Sequence, residues 1–460
     1  MTSYLRAVGP RFIDPAGQPV LLRGIGLGGW MCMENFVTGY PGTESLMRDA
    51  VRRVLGEERS EFFFDRLLTG FFGDADARLL AGLGINALRI PVGYRHFEDD
   101  QRPFEIKQEG FRHLDRVIDA CARQGVYSII DLHTAPGWQN QRWHSDNPTH
   151  TALFWQHRHF QDRVVHLWEA IADRYKDNPW VAGYNPMNEP GDESRAVVGP
   201  FYTRLVAAIR AVDPHHALFL DGNTYSTEFD IFDAFDELPD NAVYVCHDYA
   251  MPGFAYGGPY PGETRGIWHD RQTVEEKFLA RSEFSRKTGT PVWVGEFGPV
   301  YTGDPARDEQ RFQLLADQLE IYRKHEASWS LWTYKDIGLQ GLATVAPGAA
   351  YLSRFGDLIA KKKRLAVDSW GTDGRGPIEI TGPVQDLLER EFPDFDPYPW
   401  GRWDWVRTLL MTITFAQPMV DEYAALFAGL GEDELAALAD SFALENCLVR
   451  EPLRQRLHNG

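Results

Sequence analysis

The chain has 460 residues, 43% of them hydrophobic, enough to furnish a large core. Its net charge of −19 argues against a nucleic-acid partner or an anionic membrane surface, both of which need a basic footprint. Four scattered cysteines (Cys32, Cys121, Cys246 and Cys447) form no CxxC pair and read as free buried thiols, not a disulfide framework.

The N-terminus "MTSYLRAVGPRFIDPAG" has no apolar signal core, and no run of about 18 apolar residues occurs anywhere. The expectation is a soluble, cytoplasmic protein with no membrane partner. Then "RFIDPAGQPVLLRGIGLGGW" reads as a hairpin feeding a strand, with Pro and Gly of "DPAG" where a tight turn wants them. Strand-like runs follow at the spacing of one βα unit: 20–27, 85–92, 126–133, 181–188, 217–222, 242–249, 291–298 and 328–334. Each is nearly continuous apolar, as a parallel strand buried on both faces should be. Helical patterns such as "GFRHLDRVIDACARQG" lie between them. Eight such alternations predict a closed (β/α)8 barrel over residues 1–345, hairpin included. No GxGxxG or GxxxxGK[ST] follows a strand, which weakens an open nucleotide-binding sheet.

Residues 346–460 read as a C-terminal, mostly helical extension packed on the barrel. "DSWGTDGRGPIEITGP" is loop-like and "VDEYAALFAGLGEDELAALADSFALENCL" helical.

Chemistry in such a barrel sits at the C-terminal strand ends. In order, those ends supply Arg89, His133, Asn188 with Glu189, His247 with Tyr249, Glu296 and Trp332. Glu189 and Glu296, three strands apart in equivalent places, bring two carboxyls to one cavity. Glycoside hydrolysis needs such a pair, one to protonate the departing oxygen and one to attack the anomeric carbon or activate water.

The ordered set "LRIP" (88–91), "NEP" (188–190), "HDY" (247–249) and "GEFG" (295–298), with His133, Trp332 and the opening "PVLLRGIGLGGW", resembles glycoside hydrolase family 5 of clan A, over roughly residues 8–345. The resemblance implies a retaining double displacement with Glu189 as acid/base and Glu296 as nucleophile. It further implies that Asn188 binds the sugar 2-hydroxyl and Arg89 holds the nucleophile. His133, His247 and Tyr249 would be subsite polar groups, and Trp332 the aromatic floor. No cofactor is implied. An acid/base must hold its proton at first, so Glu189 is expected to have a raised pKa.

The loop 133–160 crowds His144, His150, His157 and His159, but their spacing fits no zinc motif, and no metal is assigned. Sugar contacts are expected instead from Trp138, Gln139, Asn140, Trp143 and His144, and from Trp30, Glu34 and Asn35 after the first strand. The loop "AMPGFAYGGPYPGETRGIW" (250–268) reads as a lip. Long loops and a tail suggest a pocket that accepts a chain end. The expected substrate is therefore a short oligosaccharide or glycoside, β-mannosides first and β-glucosides second. An endo-β-glucanase or endo-β-mannanase is the alternative enzyme, and a non-catalytic sugar-binding barrel the alternative of another class.

Overall fold

The computed structural model describes residues 4–250, 253, 256–368, 370–371 and 377–459. Parts of the loops read at 250–268 and 368–383 (251–252, 254–255, 369 and 372–376) lie outside the described residues. Eight parallel strands close into a barrel: β1 (Arg23–Gly26), β2 (Ala87–Gly93), β3 (Tyr127–Thr134), β4 (Val181–Asn185), β5 (Ala217–Asp221), β6 (Ala242–His247), β7 (Trp293–Phe297) and β8 (Ser328–Leu331). Each predicted run holds one strand, and β8 pairs back onto β1 through Trp329 and Arg23. The barrel class follows from the pattern: apolar strands buried on both faces, each returning through a helix.

All but one of the strands are shorter than the apolar runs, the exception being β3. β4 stops at Asn185 because Pro186 has no N–H to offer a neighbouring strand. Glu189 therefore sits four residues past the strand, in a loop.

A small sheet (Arg6–Val8, Arg11–Ile13 and Pro19–Val20) covers the N-terminal mouth of the barrel. Its Phe12 stacks on Phe219 in a cluster with Leu22, Val243 and Trp293. That end is sealed by apolar packing, which leaves the C-terminal end for chemistry.

The segment after β1 is helical, with Glu44–Leu55, Glu57–Phe71 and Asp74–Gly82. The extension packs on these helices. Ala416–Ala425 lies against Glu44–Leu55, and Glu432–Asp440 against Glu57–Phe71. Its Tyr351, Phe355, Phe427 and Phe442 belong to the same apolar cluster as the barrel's outer faces. Cys447–Val449 pairs antiparallel with Ala343–Val345, tying the chain's end to the segment after β8. Lys335, fully buried, donates to Phe71 O (2.6 Å), Phe442 O (2.8 Å) and Asp76 Oδ1 (3.0 Å) and so joins barrel to extension.

The stretch read as a loop to residue 383 is in fact helical from Ile378; the helix runs to Glu391 with Pro383 inside it. Farther on, Gly401–Arg407 continues into a π-helical segment, Thr408–Phe415. All four cysteines are free. No helix among the described residues is long and apolar enough to cross a membrane.

Candidate active site

At the C-terminal end of the barrel a cavity of about 410 Å³ opens. Glu189 and Glu296 both line it. With His247 they form a trio whose donor atoms all lie within 4.8 Å of one another. That is the short separation of a retaining pair; an inverting pair stands about 6.5–9.5 Å apart to admit a water.

The two carboxyls are held differently. Glu296, in β7, accepts from Arg89 Nη1 through Oε1 (2.7 Å) and from the Tyr249 hydroxyl through Oε2 (2.9 Å). Arg89 is fully buried in β2; its other nitrogens reach Asn185 Oδ1 (3.0 Å), Asn188 Oδ1 (2.7 Å) and Asp131 Oδ2 (3.1 Å). This cage keeps the guanidinium charged and aims it at Glu296. Tyr249 is pushed well above the ordinary tyrosine range by burial and by the charge of Glu296, so its hydroxyl remains a donor.

Glu189 meets two histidines. His247 Nδ1 lies 2.6 Å from Oε1, and His144 Nε2 lies 3.0 Å from Oε2. Its backbone takes φ 45°, a left-handed conformation unusual for a side-chain-bearing residue. Two hydrogen bonds over-determine that conformation. The Glu189 N–H donates to Asp221 Oδ2 (2.9 Å), and Asn140 Nδ2 donates to the Glu189 carbonyl (3.0 Å).

The expected raised pKa of Glu189 is not found. Burial does raise it, but the charge of His247 and hydrogen bonds from both histidines outweigh burial and hold the carboxyl well below the usual range. His247 moves the other way: burial lowers it, but the Glu296 and Glu189 charges prevail and raise it.

The floor is Trp332, stacked on His133 at 5.5 Å between ring centroids and 5° between planes. Room for that indole comes from the glycines after β1. A Cβ on Gly26 would stand 2.7 Å from the Trp332 ring, and one on Gly28 2.6 Å. His133 Nδ1 is 2.7 Å from Asp131 Oδ2. Burial would lower its pKa, but the Asp131 charge and hydrogen bond prevail and push it up to about 10.

Comparison with known proteins completes the description. The model of the cellulase family, glycosyl hydrolase family 5, matches residues 71–338. The chain belongs to glycosyl hydrolase family 5. This family 5 protein is 47% identical to a "Beta-xylosidase" of Phanerodontia chrysosporium over 99% of its own length and 98% of the relative. It is 28% identical to a "Probable glucan 1,3-beta-glucosidase A" of Aspergillus fumigatus, over 70% of this chain and 84% of that one. In fold it is similar to Thermotoga maritima Cel5A in complex with mannotriose: TM-score 0.51, 19% identity, covering 68% of this chain and 90% of that one. The family and the paired carboxyls make it a glycoside hydrolase of the retaining architecture.

The remaining family 5 expectations fall into three places. His133, Trp143, His144, His247, Tyr249 and Trp332 line the cavity. Arg89 and Asn188 are fully buried behind the cavity, Arg89 donating to Glu296 and to Asn188 Oδ1. Trp30, Asn35, Trp138, Gln139 and Asn140 are not among the lining residues. Trp30 is core, its indole donating to Leu68 O (2.8 Å). Asn35 donates to Gly42 O (3.1 Å). Trp138 turns its loop with φ 60°. Gln139 and Asn140 brace that loop against the carbonyls of Asn188 and Glu189. The loop histidines do not converge. His150 bonds to Gln141 O, while His157 and His159 pack on Phe160.

Three features escaped the sequence reading. Glu34, mentioned only as a loop contact, is a buried cavity carboxyl whose Oε1 lies 3.6 Å from His133 Nε2; burial raises its pKa. Asp221 anchors the Glu189 loop, and its signal was a strand ending on Asp in "ALFLDG". The extension contributes Trp370, Trp400, Trp403 and Asp404 to the cavity wall. The tryptophans of "YPWGRWDW" (398–405) were visible but had no strand to place them.

Proposed function

We propose that the protein removes single sugars from the non-reducing ends of short β-linked oligosaccharides or β-glycosides, with Glu296 as nucleophile and Glu189 as acid/base. The observation that carries this reading is the unequal surroundings of two carboxyls less than 4.8 Å apart. Arg89 and Tyr249 each donate to one oxygen of Glu296 and fix the carboxyl in place for attack on the anomeric carbon. Glu189 shares a proton with His247, so the leaving oxygen is protonated from the pair as the glycosidic bond breaks. Once Glu296 is esterified its charge is gone, and the ionised Glu189 activates the water that releases the sugar.

Asn188 Oδ1 is engaged by Arg89, which leaves Nδ2 as a donor, 3.4 Å from His133 Nε2. Protonated His133 is a donor there as well. Two donors facing one another call for an acceptor between them, and a sugar oxygen next to the reacting carbon fits. Trp332 offers an apolar plane to the C–H face of the ring.

Exo action is supported by the wall that Trp370, Trp400 and Trp403 add to the cavity. β-Xylosides take first place as substrates because the 47% identical relative bears that name. β-Glucosides come second, and the β-mannosides of the sequence reading third. The test is a panel of nitrophenyl β-glycosides, then a product time course on a defined pentasaccharide. Monosaccharide alone at early times is expected. Early di- and trisaccharides would show an endo-enzyme, and no turnover of any glycoside would reject the reading.

A further inference from the structure

Beyond the reacting carboxyls the cavity wall changes sign. In a chain of net charge −19, the described residues that line the rest of the cavity include Arg142, Arg265 and Arg281 and, apart from Glu34, Glu189 and Glu296, one carboxylate, Asp404. Asp404 is already paired with Arg142, which also donates to Thr408 Oγ1 (2.7 Å) and lies 4.6 Å over the Trp400 ring. The Arg265 guanidinium lies 3.7 Å over Tyr256. Arg281, the last residue of helix Arg271–Arg281, is half-buried and makes no hydrogen bond or ion pair among the described residues. The carboxylates within electrostatic reach of it are engaged elsewhere, Glu228 by Arg195 and Asp248 by the Tyr322 hydroxyl.

A fourth arginine stands behind this wall. Arg407 follows Trp403 and Asp404 by one helical turn, so it shares their face. It is 3% exposed, and none of its three guanidinium nitrogens has a hydrogen-bond partner. Burial, then repulsion from Arg142, pushes its pKa down to about 10. A buried cation without a hydrogen-bond partner is unfavourable, and among the described residues Arg142 and Arg407 face a single lining carboxylate, Asp404.

We propose that this wall is a subsite for an anionic substituent on the leaving group: a carboxylate, sulfate or phosphate carried a few ångströms beyond the glycosidic oxygen. It rests on the glycosidase reading of the cavity. Guanidinium forks suit oxyanions, and a low-dielectric wall concentrates their field. The neighbouring Tyr225 and Trp400 rings, 4.5 Å apart, offer the apolar surface for the body of the leaving group.

The test compares aryl β-glycosides of one sugar and matched phenol pKa that differ only in a ring substituent: carboxylate, sulfonate, phosphonate or neutral carboxamide. The anionic members should exceed the carboxamide by about ten-fold in kcat/KM at low salt, and the advantage should shrink at about 1 M NaCl. The rank of the three anions identifies the natural group. Arg281→Ala, Arg265→Ala and Arg407→Met should each reduce the anion-to-amide ratio, and Arg407→Met should also raise Tm, because it removes an unpaired buried charge. A ratio of one or below, or a ratio untouched in all three variants, overturns the proposal. Calorimetry with 4-hydroxybenzoate, 4-hydroxyphenylphosphonate and 4-hydroxybenzamide gives a reading without turnover. The anions should bind more tightly, and equal or weaker binding rejects the subsite. Failure of the glycosidase reading would show separately, as no hydrolysis of charged and neutral series alike.

Discussion

His247 Nδ1 lies 2.6 Å from Glu189 Oε1, so the two side chains share one proton across the cavity floor. The same nitrogen is 3.7 Å from Glu296 Oε2, which makes it the electrostatic link between both carboxyls. On the proposed assignment, proton supply to the leaving group is a property of the pair, not of Glu189 alone.

The basic limb of the kcat/KM profile should follow loss of that proton. With His247 raised above its ordinary value, the limb should lie above pH 6.5. In His247→Asn the proton can reside only on the carboxyl, so the limb should move to lower pH. A pH–rate profile of both proteins checks this. A limb that does not move would assign the titration to another group.

The roles of the two glutamates separate by leaving group. Glu296→Ala should lose turnover of all glycosides. Glu189→Ala should fall by about 10²–10⁴-fold on poor leaving groups yet retain the first step on activated aryl glycosides. Azide should restore its turnover and yield a β-glycosyl azide. Equal losses on activated substrates, with no azide product, would reverse or reject the assignment.

His133 makes stability depend on pH. Its folded pKa of about 10 exceeds the unfolded value near 6.5. Its contribution, on the order of a few kcal/mol, is therefore complete below about pH 6.5 and lost as pH rises through about 10. Urea unfolding of wild type and His133→Asn should show a gap that narrows from pH 6 to pH 10. A constant gap would mean that packing on Trp332, not charge, is what His133 supplies.

Lys335→Met should destabilise by about 3–5 kcal/mol, because Asp76 and two carbonyls lose their buried cation. Replacing Asp76 as well, with Leu, should recover part of that loss. Denaturant midpoints of the single and double variants measure both effects.

The barrel was legible because its signal is repetitive. Eight buried parallel strands write eight apolar runs, and their C-terminal ends bring Glu189 and Glu296 to one rim. The partners of Glu296 were legible too, since Arg89 and Tyr249 lie on or just after strands. The electrostatics of Glu189 were not. His144 reaches it from a loop whose path depends on Gln139 and Asn140 gripping backbone carbonyls, and such grips leave no periodic trace. Trp30 misled for the same reason: "GLGGW" places the residue near the rim, while its indole turns outward to Leu68. The tryptophans of the extension needed a tertiary address that local pattern does not contain.

That extension carries a consequence for how the molecule comes into being. A ribosome that has finished β8 has made every residue assigned to bond cleavage, yet Trp370, Trp400 and Trp403 are still to come, and the strand Cys447–Val449 that fastens their segment comes later again. Until then the cavity lacks that part of its wall. On the proposed reading, the preference for chain ends is set by this segment, apart from the chemistry, and its loss or replacement should redirect cleavage and leave both glutamates untouched.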